Sequence, residues 1–203
     1  KESKAKNFIK RYCNNKLAVI GFFTLVLITL IVIIVPPFLP FSEAEIDPLA
    51  FNMPPSAKHL LGGDDVGRDV LSRLLYGGRV SLAVGIFSTA VSVIVGIPLG
   101  MLAAFYRGAF EVVVMRLSDI FMSFPSTILI LFLVSMFGPS IITVTVVIGV
   151  LGWPKFARQI YGSVLSIREK DYIEGAVAIG AKDKLIITRY ILPNAVAPIF
   201  ISI

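Results

Sequence analysis

The chain opens with charges and then abandons them. Lys and Arg fill positions 1, 4, 6, 10, 11 and 16, after which the nineteen residues from Leu17 to Val35 carry no charge. About 20 such residues span the hydrocarbon core of a bilayer, so the pattern predicts a first span over 17–37, reaching to Pro36 and Pro37. A cleavable leader has an apolar stretch of about 7 to 15 residues followed by a small-residue cleavage site. This run is longer and ends in prolines, so it reads as an uncleaved span behind a cytosolic segment over 1–16.

Between 38 and 79 the pattern turns polar, with acidic residues outnumbering basic ones. Its first half is proline-rich and predicts irregular chain. Val70, Leu71, Leu74 and Leu75 then fall at helical spacing, predicting a short amphipathic helix over 69–76 at the outer surface. Val80 to Phe105 is again free of charge and predicts a second span over 80–105, kinked at Pro98. Its Gly96 and Gly100 form a G-x-x-x-G pair that either lets a neighbouring backbone approach or faces lipid. A third span is predicted over 120–137, closed by Gly138-Pro139, with Asp119 at its inner end as a cap or as a partner of Arg116. The apolar run Ile141–Trp153 is only roughly 20 Å long as a helix. The fourth span therefore has to continue past Pro154, to about 158, with Lys155 and Arg158 reaching the interface. Pro193 begins a fifth run that stops at Ile203, short of a span, and is expected to continue in the natural protein.

Composition agrees with a membrane chain: 16% of residues are charged, where soluble domains carry roughly a quarter. The net charge of +6 would suit nucleic acid if it lined one face, but it collects at the ends of apolar runs, and no nucleic-acid partner is expected. Alternating the spans from a cytosolic start places 106–117 inside as a short loop and leaves only Lys58, Arg68, Arg73 and Arg79 outside, which is what the positive-inside rule requires. Cys13 and His59 are each the sole residue of their type, so neither a disulfide framework nor a metal site is expected, and both are read as surface residues.

No cluster of titratable groups suggests bond chemistry, and no cofactor is expected. Gly62 to Asp69 echoes the nucleotide loop G-x-x-x-x-G-K-[ST], but Arg68 and Asp69 stand where Lys and Ser or Thr belong, and Asp64 and Asp65 would repel phosphate. It reads as a turn. The chain is not expected to hydrolyse ATP by itself.

The one polar cytosolic element of any size runs over 161–190. Asp171 and Glu174 have capping-box spacing, and Gly180 can end the helix they start. A helix over 172–179 is predicted, with small residues Gly175, Ala176 and Ala178 on its surface, then a second helix from Asp183 toward Tyr190. From composition alone this is equally an ordinary amphipathic surface helix.

Glu174-Gly175-Ala176, Gly180 and Ile191-Leu192-Pro193 resemble the EAA loop of permease subunits in binding-protein-dependent ABC importers. The surrounding Lys170-Asp171-Tyr172-Ile173-Glu174 and Arg189-Tyr190-Ile191-Leu192-Pro193-Asn194 are similar to the dipeptide, oligopeptide and nickel branch, second-permease type. So are His59-Leu60-Leu61-Gly62, Gly67 to Gly77, and Phe124-Pro125. Gly175 departs from the usual Ala-Ala pair. The resemblance implies an all-α, polytopic membrane protein with the type I importer (MetI-like) fold, incomplete at its carboxyl end because the family has six spans, in a prokaryotic inner membrane. It implies partners: a homologous second permease, two ATP-binding subunits, an extracytoplasmic substrate-binding protein and the lipid bilayer. It also implies that Asp171, Tyr172, Glu174, Gly175, Ala176, Gly180 and Pro193 couple to the ATPase. The translocation path would lie between the two permeases, with Ser88, Ser92, Ser123, Ser126, Thr127 and Ser135 as candidate lining groups, joined by Thr143 and Thr145. The expected cargo is peptide. Nickel or a related small solute is the alternative, and a non-transporting membrane anchor is the alternative of another class.

Overall fold

With no helix breaker inside it, the first apolar run forms α1 (Lys16–Ile34), opened by Asn15, whose side chain accepts the Ala18 N–H at 3.3 Å. This computed structural model describes residues 15–196; Cys13, nearly all of the expected cytosolic amino segment and most of the fifth run lie outside the described residues. Two compact units, 1–83 and 84–203, divide the chain.

In the first unit α1 is apolar on every side and buries only Val32. It ends at Ile34, short of the expected 37. Prolines lack the N–H that would continue the ladder, and Pro36–Phe38 tightens into a 3-10 turn instead. The carbonyls left open at its end are taken by Arg79, whose Nε donates to Val32 O at 2.9 Å and whose Nη2 donates to Ile33 O. Arg79 belongs to α2 (Val70–Tyr106), which Asp69 caps by accepting the Ser72 N–H at 2.7 Å.

The short helix expected over 69–76 is therefore not separate. It is the first two turns of one 37-residue helix that also contains the whole of 80–105. Gly77 and Gly78 do not break it, because Gly78 gives the close approach that Val32 needs: a Cβ there would lie 3.0 Å from a Val32 methyl. The charge of Arg79 is absorbed by the carbonyls of α1.

His59, expected at the surface, is 1% exposed. Its Nδ1 lies 2.9 Å from Asp69 Oδ1 and its Nε2 3.3 Å from Asp47 Oδ2, with the Phe41 ring stacked on it at 4.5 Å. A ring with a carboxylate at each nitrogen can be buried without an unmet polar group. Its partners lie ten and twelve residues away along irregular chain, where no periodicity announces them.

In the second unit α2 and α5 (Ile141–Arg168) run parallel and in contact. A Cβ on Gly96 would sit 2.5 Å from Trp153 O, and one on Gly100 would sit 2.1 Å from Ala157 O. Ser92 Oγ donates to Gly149 O at 2.8 Å, and at the far end Arg168 Nη1 donates to Ala104 O at 3.4 Å. The G-x-x-x-G pair is thus a helix contact and not a lipid face. α5 continues through Pro154 to Arg168, giving 28 residues where the uncharged run alone offered 13.

Two expectations between these helices are corrected. The segment 106–117, expected as a cytosolic loop, is mostly helical, within α3 (Gly108–Ser123). The span expected over 120–137 is broken between α3 and α4 (Ser126–Phe137), which meet at 88°. Pro125 disfavours helical backbone at the residue before it, and Phe124 is extended at φ −95°, ψ 142°. α3 escapes a search for apolar runs because Glu111, Arg116 and Asp119 interrupt it; what it has is a stripe, Val114, Met115 and Phe121, packed with Trp153 and Ala157, beside the buried Ser118. Since α2 and α5 are parallel, α3 and α4 carry the chain from the carboxyl end of one to the amino end of the other.

Beyond α5 come α6 (Asp171–Ala178) and a helical stretch over 183–195, α7, which widens to a π-helix over Ile186–Ile191. Pro193 follows at once; a proline has no N–H and its ring crowds the carbonyl four residues back, and widening the turn relieves that conflict.

Candidate coupling surface

α6 starts without the capping box its sequence suggested. Lys170 is the N-cap and makes no side-chain cap bond, while Asp171 and Glu174 both lie in the first turn, where negative charge favours the exposed N–H groups. Asp171 is one residue too far into the helix to cap it. The carboxyl end does behave as read. Gly180 takes φ +77°, its N–H donates to Val177 O at 2.9 Å, and Ala181 N–H donates to Ala176 O at 3.0 Å. That pair of bonds is a Schellman stop, which needs a residue free to enter the left-handed region.

The helix is short but firmly mounted. Ile173 and Ala176 are buried in a cluster with Met101 and Phe105 of α2, Phe156, Ile160 and Val164 of α5, and Ile186, Ile187 and Ile191 of α7. Tyr172, Glu174, Gly175, Val177 and Ile179 remain exposed, Ile179 by 85%. Beside them is a shallow cleft of about 360 Å³ bordered by Arg168, Ile173, Glu174, Val177 and Ala178. Of the expected coupling residues, Asp171 to Gly180 are thus contiguous on one short element, with Ala176 turned inward. Pro193 stands apart on α7. Arg168 was not anticipated: it bonds Ala104 O and lies over the Phe105 ring at 5.7 Å, tying the end of α5 to the end of α2 just before α6 begins.

The hydroxyl candidates divide differently. Ser88 and Ser92 are buried, Ser92 on Gly149 O and Ser88 on Gly85 O. Ser123 and Ser135 are exposed and donate to carbonyls of their own helices, Ile120 O and Phe132 O, each at 2.7 Å. Ser126 and Thr127 are exposed at the start of α4. Thr143 meets Ser140 at 2.8 Å and Thr145 donates to Ile141 O at 2.6 Å. Asp119 pairs with Arg158 across α3 and α5 and lies 3.7 Å from Arg116; Arg158 was expected only to reach for the interface.

The echo of a nucleotide loop is a turn closed on itself. Asp64 accepts from the Val66 and Arg68 N–H groups and from Arg68 Nε, each at 2.9 Å, and from the Arg73 guanidinium. The Arg68 backbone bond leads the effects that hold its carboxyl far below the usual range, so the centre of the turn is anionic and leaves no seat for phosphate. Among the described residues no cluster of His, Cys, Asp and Glu could hold a metal ion.

Residues 96–203 match the family of binding-protein-dependent transport system inner membrane components. The chain belongs to this family. Residues 3–55 match the N-terminal transmembrane domain of oligopeptide transport permease C. Among similar proteins are the dipeptide transport system permease protein DppC of Alkalihalophilus pseudofirmus, 38% identical over 193 residues, which cover 95% of this chain and 64% of that protein. The glutathione transport system permease protein GsiD of Pectobacterium atrosepticum is 37% identical over 97% of this chain and 65% of its own length. The oligopeptide transport system permease protein OppC of Bacillus subtilis is 29% identical over the same shares. The chain thus spans less than two thirds of the length of these curated relatives. Its all-helical architecture, with α1, α2 and α5 long and apolar enough to cross a membrane, is that of an inner-membrane permease component.

Proposed function

We propose that the chain is the transmembrane subunit of an ATP-driven peptide importer, with its amino end in the cytosol. It would supply half of the translocation path beside a homologous second permease and be driven by two ATP-binding subunits. Substrate would arrive from an extracytoplasmic binding protein. The observation that carries the coupling role is the two-sidedness of α6: Ile173 and Ala176 fix it in the core shared by α2, α5 and α7, while Tyr172, Val177 and Ile179 remain exposed. A helix mounted this way moves with the helices it is packed on, so a push on its open face displaces spans instead of bending a loop. The names of the relatives support peptide as cargo. Few charged groups interrupt the helices, which suits a path that tolerates many side chains, and Ser123, Ser126, Thr127 and Ser135 are its exposed hydroxyls.

The test is uptake of labelled oligopeptide by the complete complex in proteoliposomes. Val177→Asp and Ile179→Asp change exposed positions, so insertion should survive while ATP-driven uptake falls to background. Gly180→Leu, which forces a branched side chain into φ +77°, should act in the same direction. Unaltered uptake in all three variants overturns the coupling role, and accumulation of nickel in place of peptide would move the cargo to the related class.

A further inference from the structure

A charged cleft of about 420 Å³ opens on the face of α2 that carries Arg73, Tyr76, Gly77 and Val80, and Glu43 and Arg68 from the preceding segment complete its border. Its charges are unevenly matched. Arg68 Nε donates to Asp64 Oδ2 at 2.9 Å, and Arg73 Nη1 donates to the same oxygen. Two guanidiniums thus share one carboxylate, which leaves one positive charge in surplus and several N–H donors unused beside the cleft. Among the described residues no other carboxylate pairs with either arginine, and no base pairs with Glu43.

Depth in the bilayer says what fits there. The nineteen residues of α1 make a helix of about 28 Å, close to the thickness of the hydrocarbon core. Arg79 holds the carboxyl end of that helix, so the edge of the core passes near Val80. From Val80 to Arg73 α2 climbs ~10 Å, which a typical tilt of about 20° hardly shortens, while the headgroup layer on one side is about 5–8 Å deep. The cleft therefore extends through the headgroup layer, with Val80 at its base and Arg73 at its rim. Below it the same side of α2 stays apolar and open: Val80 and Phe87, two turns apart, are 40% and 63% exposed. A charged site at headgroup depth above an uncovered apolar row matches an amphiphile, whereas a soluble anion has no use for the row.

Guanidinium groups bind phosphate through paired N–H bonds, and Glu43 adds a selection, since it repels a further anionic group on the headgroup and attracts an amine. We propose that this cleft holds the headgroup of phosphatidylethanolamine, its phosphate on Arg68 and Arg73 and its ammonium toward Glu43, with the acyl chains running down α2 past Val80. The proposal needs α1 to span the bilayer and nothing of the importer reading. The test reconstitutes the full chain in vesicles of phosphatidylethanolamine and phosphatidylglycerol in equal parts, doped with one or the other lipid carrying a diazirine beside its glycerol, and maps the photo-adducts. The ethanolamine probe should label 73–87 several-fold more than the glycerol probe. Arg68→Gln with Arg73→Gln should lower that labelling several-fold, and Glu43→Gln should bring the two probes level. No adduct at 73–87, equal labelling by the two probes in the unsubstituted chain, or undiminished labelling in the arginine variant overturns the proposal. So does displacement of the probe by excess inorganic phosphate, which would make the site one for a free anion. Because Arg68 and Arg73 also brace the turn at Asp64, the double variant counts only while 42–69 keeps its resistance to protease. Glu43 makes no bond to that turn, so Glu43→Gln decides by itself, and an unchanged preference for the ethanolamine probe overturns the proposal as well.

Discussion

Asp47 and Asp69 make the loop around His59 sensitive to acid in a defined direction. The Lys58 ammonium, then the Leu49 N–H and His59, hold the Asp47 carboxyl down to about 2. Burial pushes Asp69 upward, but the Ser72 N–H and His59 outweigh it and its carboxyl is lowered too. A carboxyl depressed on folding contributes stability above its unfolded value of about 4 and loses it as pH falls through the folded value. Resistance of 42–69 to an acid-tolerant protease should therefore hold from pH 7 to about 4 and decline toward about 2; a loop already open at pH 6 would contradict this bracing. None of it was legible in the sequence, because an isolated histidine says nothing of carboxylates ten residues distant. Gly175 is the opposite case. Its place in the EAA stretch was readable, and the structure adds that a Cβ there meets nothing within 4 Å. Gly175→Ala should stabilise α6 by up to about 1 kcal/mol, seen as slower amide exchange across 173–178.

At the scale of elements, the small-residue seam between α2 and α5 decides how closely these helices approach. Gly100→Ala would force a Cβ to within 2.1 Å of the Ala157 carbonyl oxygen, so backbone has to move and a cost of about 1–3 kcal/mol is expected. Gly85, on the same helix with nothing within 4 Å, is the control: Gly85→Ala should be neutral or stabilising by up to about 1 kcal/mol. Thermal unfolding of the two variants in detergent separates them, and equal melting temperatures would refute the seam. The sequence announced the glycine pair but not its partner, since Trp153 and Ala157 each follow 57 residues after the glycine they meet, behind two more helices. It read 120–137 as one span, so the 88° turn at Phe124-Pro125 was not announced. The Asp119–Arg158 pair is a weaker bond between elements. Both side chains are more than two fifths exposed, so Asp119→Asn should cost only about 0–1 kcal/mol, measured in the same melting assay.

For the molecule as a whole, the membrane class and the family were both readable, the first from uninterrupted apolar runs and the second from the EAA loop and its flanks. What they did not foresee was the form of the third span, because α3 and α4 are each too short to span and are bent against one another. The parallel course of α2 and α5 supplies the missing step: a chain that ends both helices at the Ala104–Arg168 contact has to be returned between them, so the bent pair does the work of one crossing in the proposed topology. In that topology the Lys and Arg bias would place 38–69 outside and 169–184 in the cytosol. Ala176 is a poor reporter because it faces the core, whereas Asp65 and Lys184 are exposed. In a Cys13→Ser background, Asp65→Cys should react with an impermeant maleimide in sealed cells, and Lys184→Cys should react only after the membrane is opened. Labelling of Lys184→Cys from outside would reverse the orientation, remove α6 from any contact with a cytosolic ATPase, and take the coupling proposal with it.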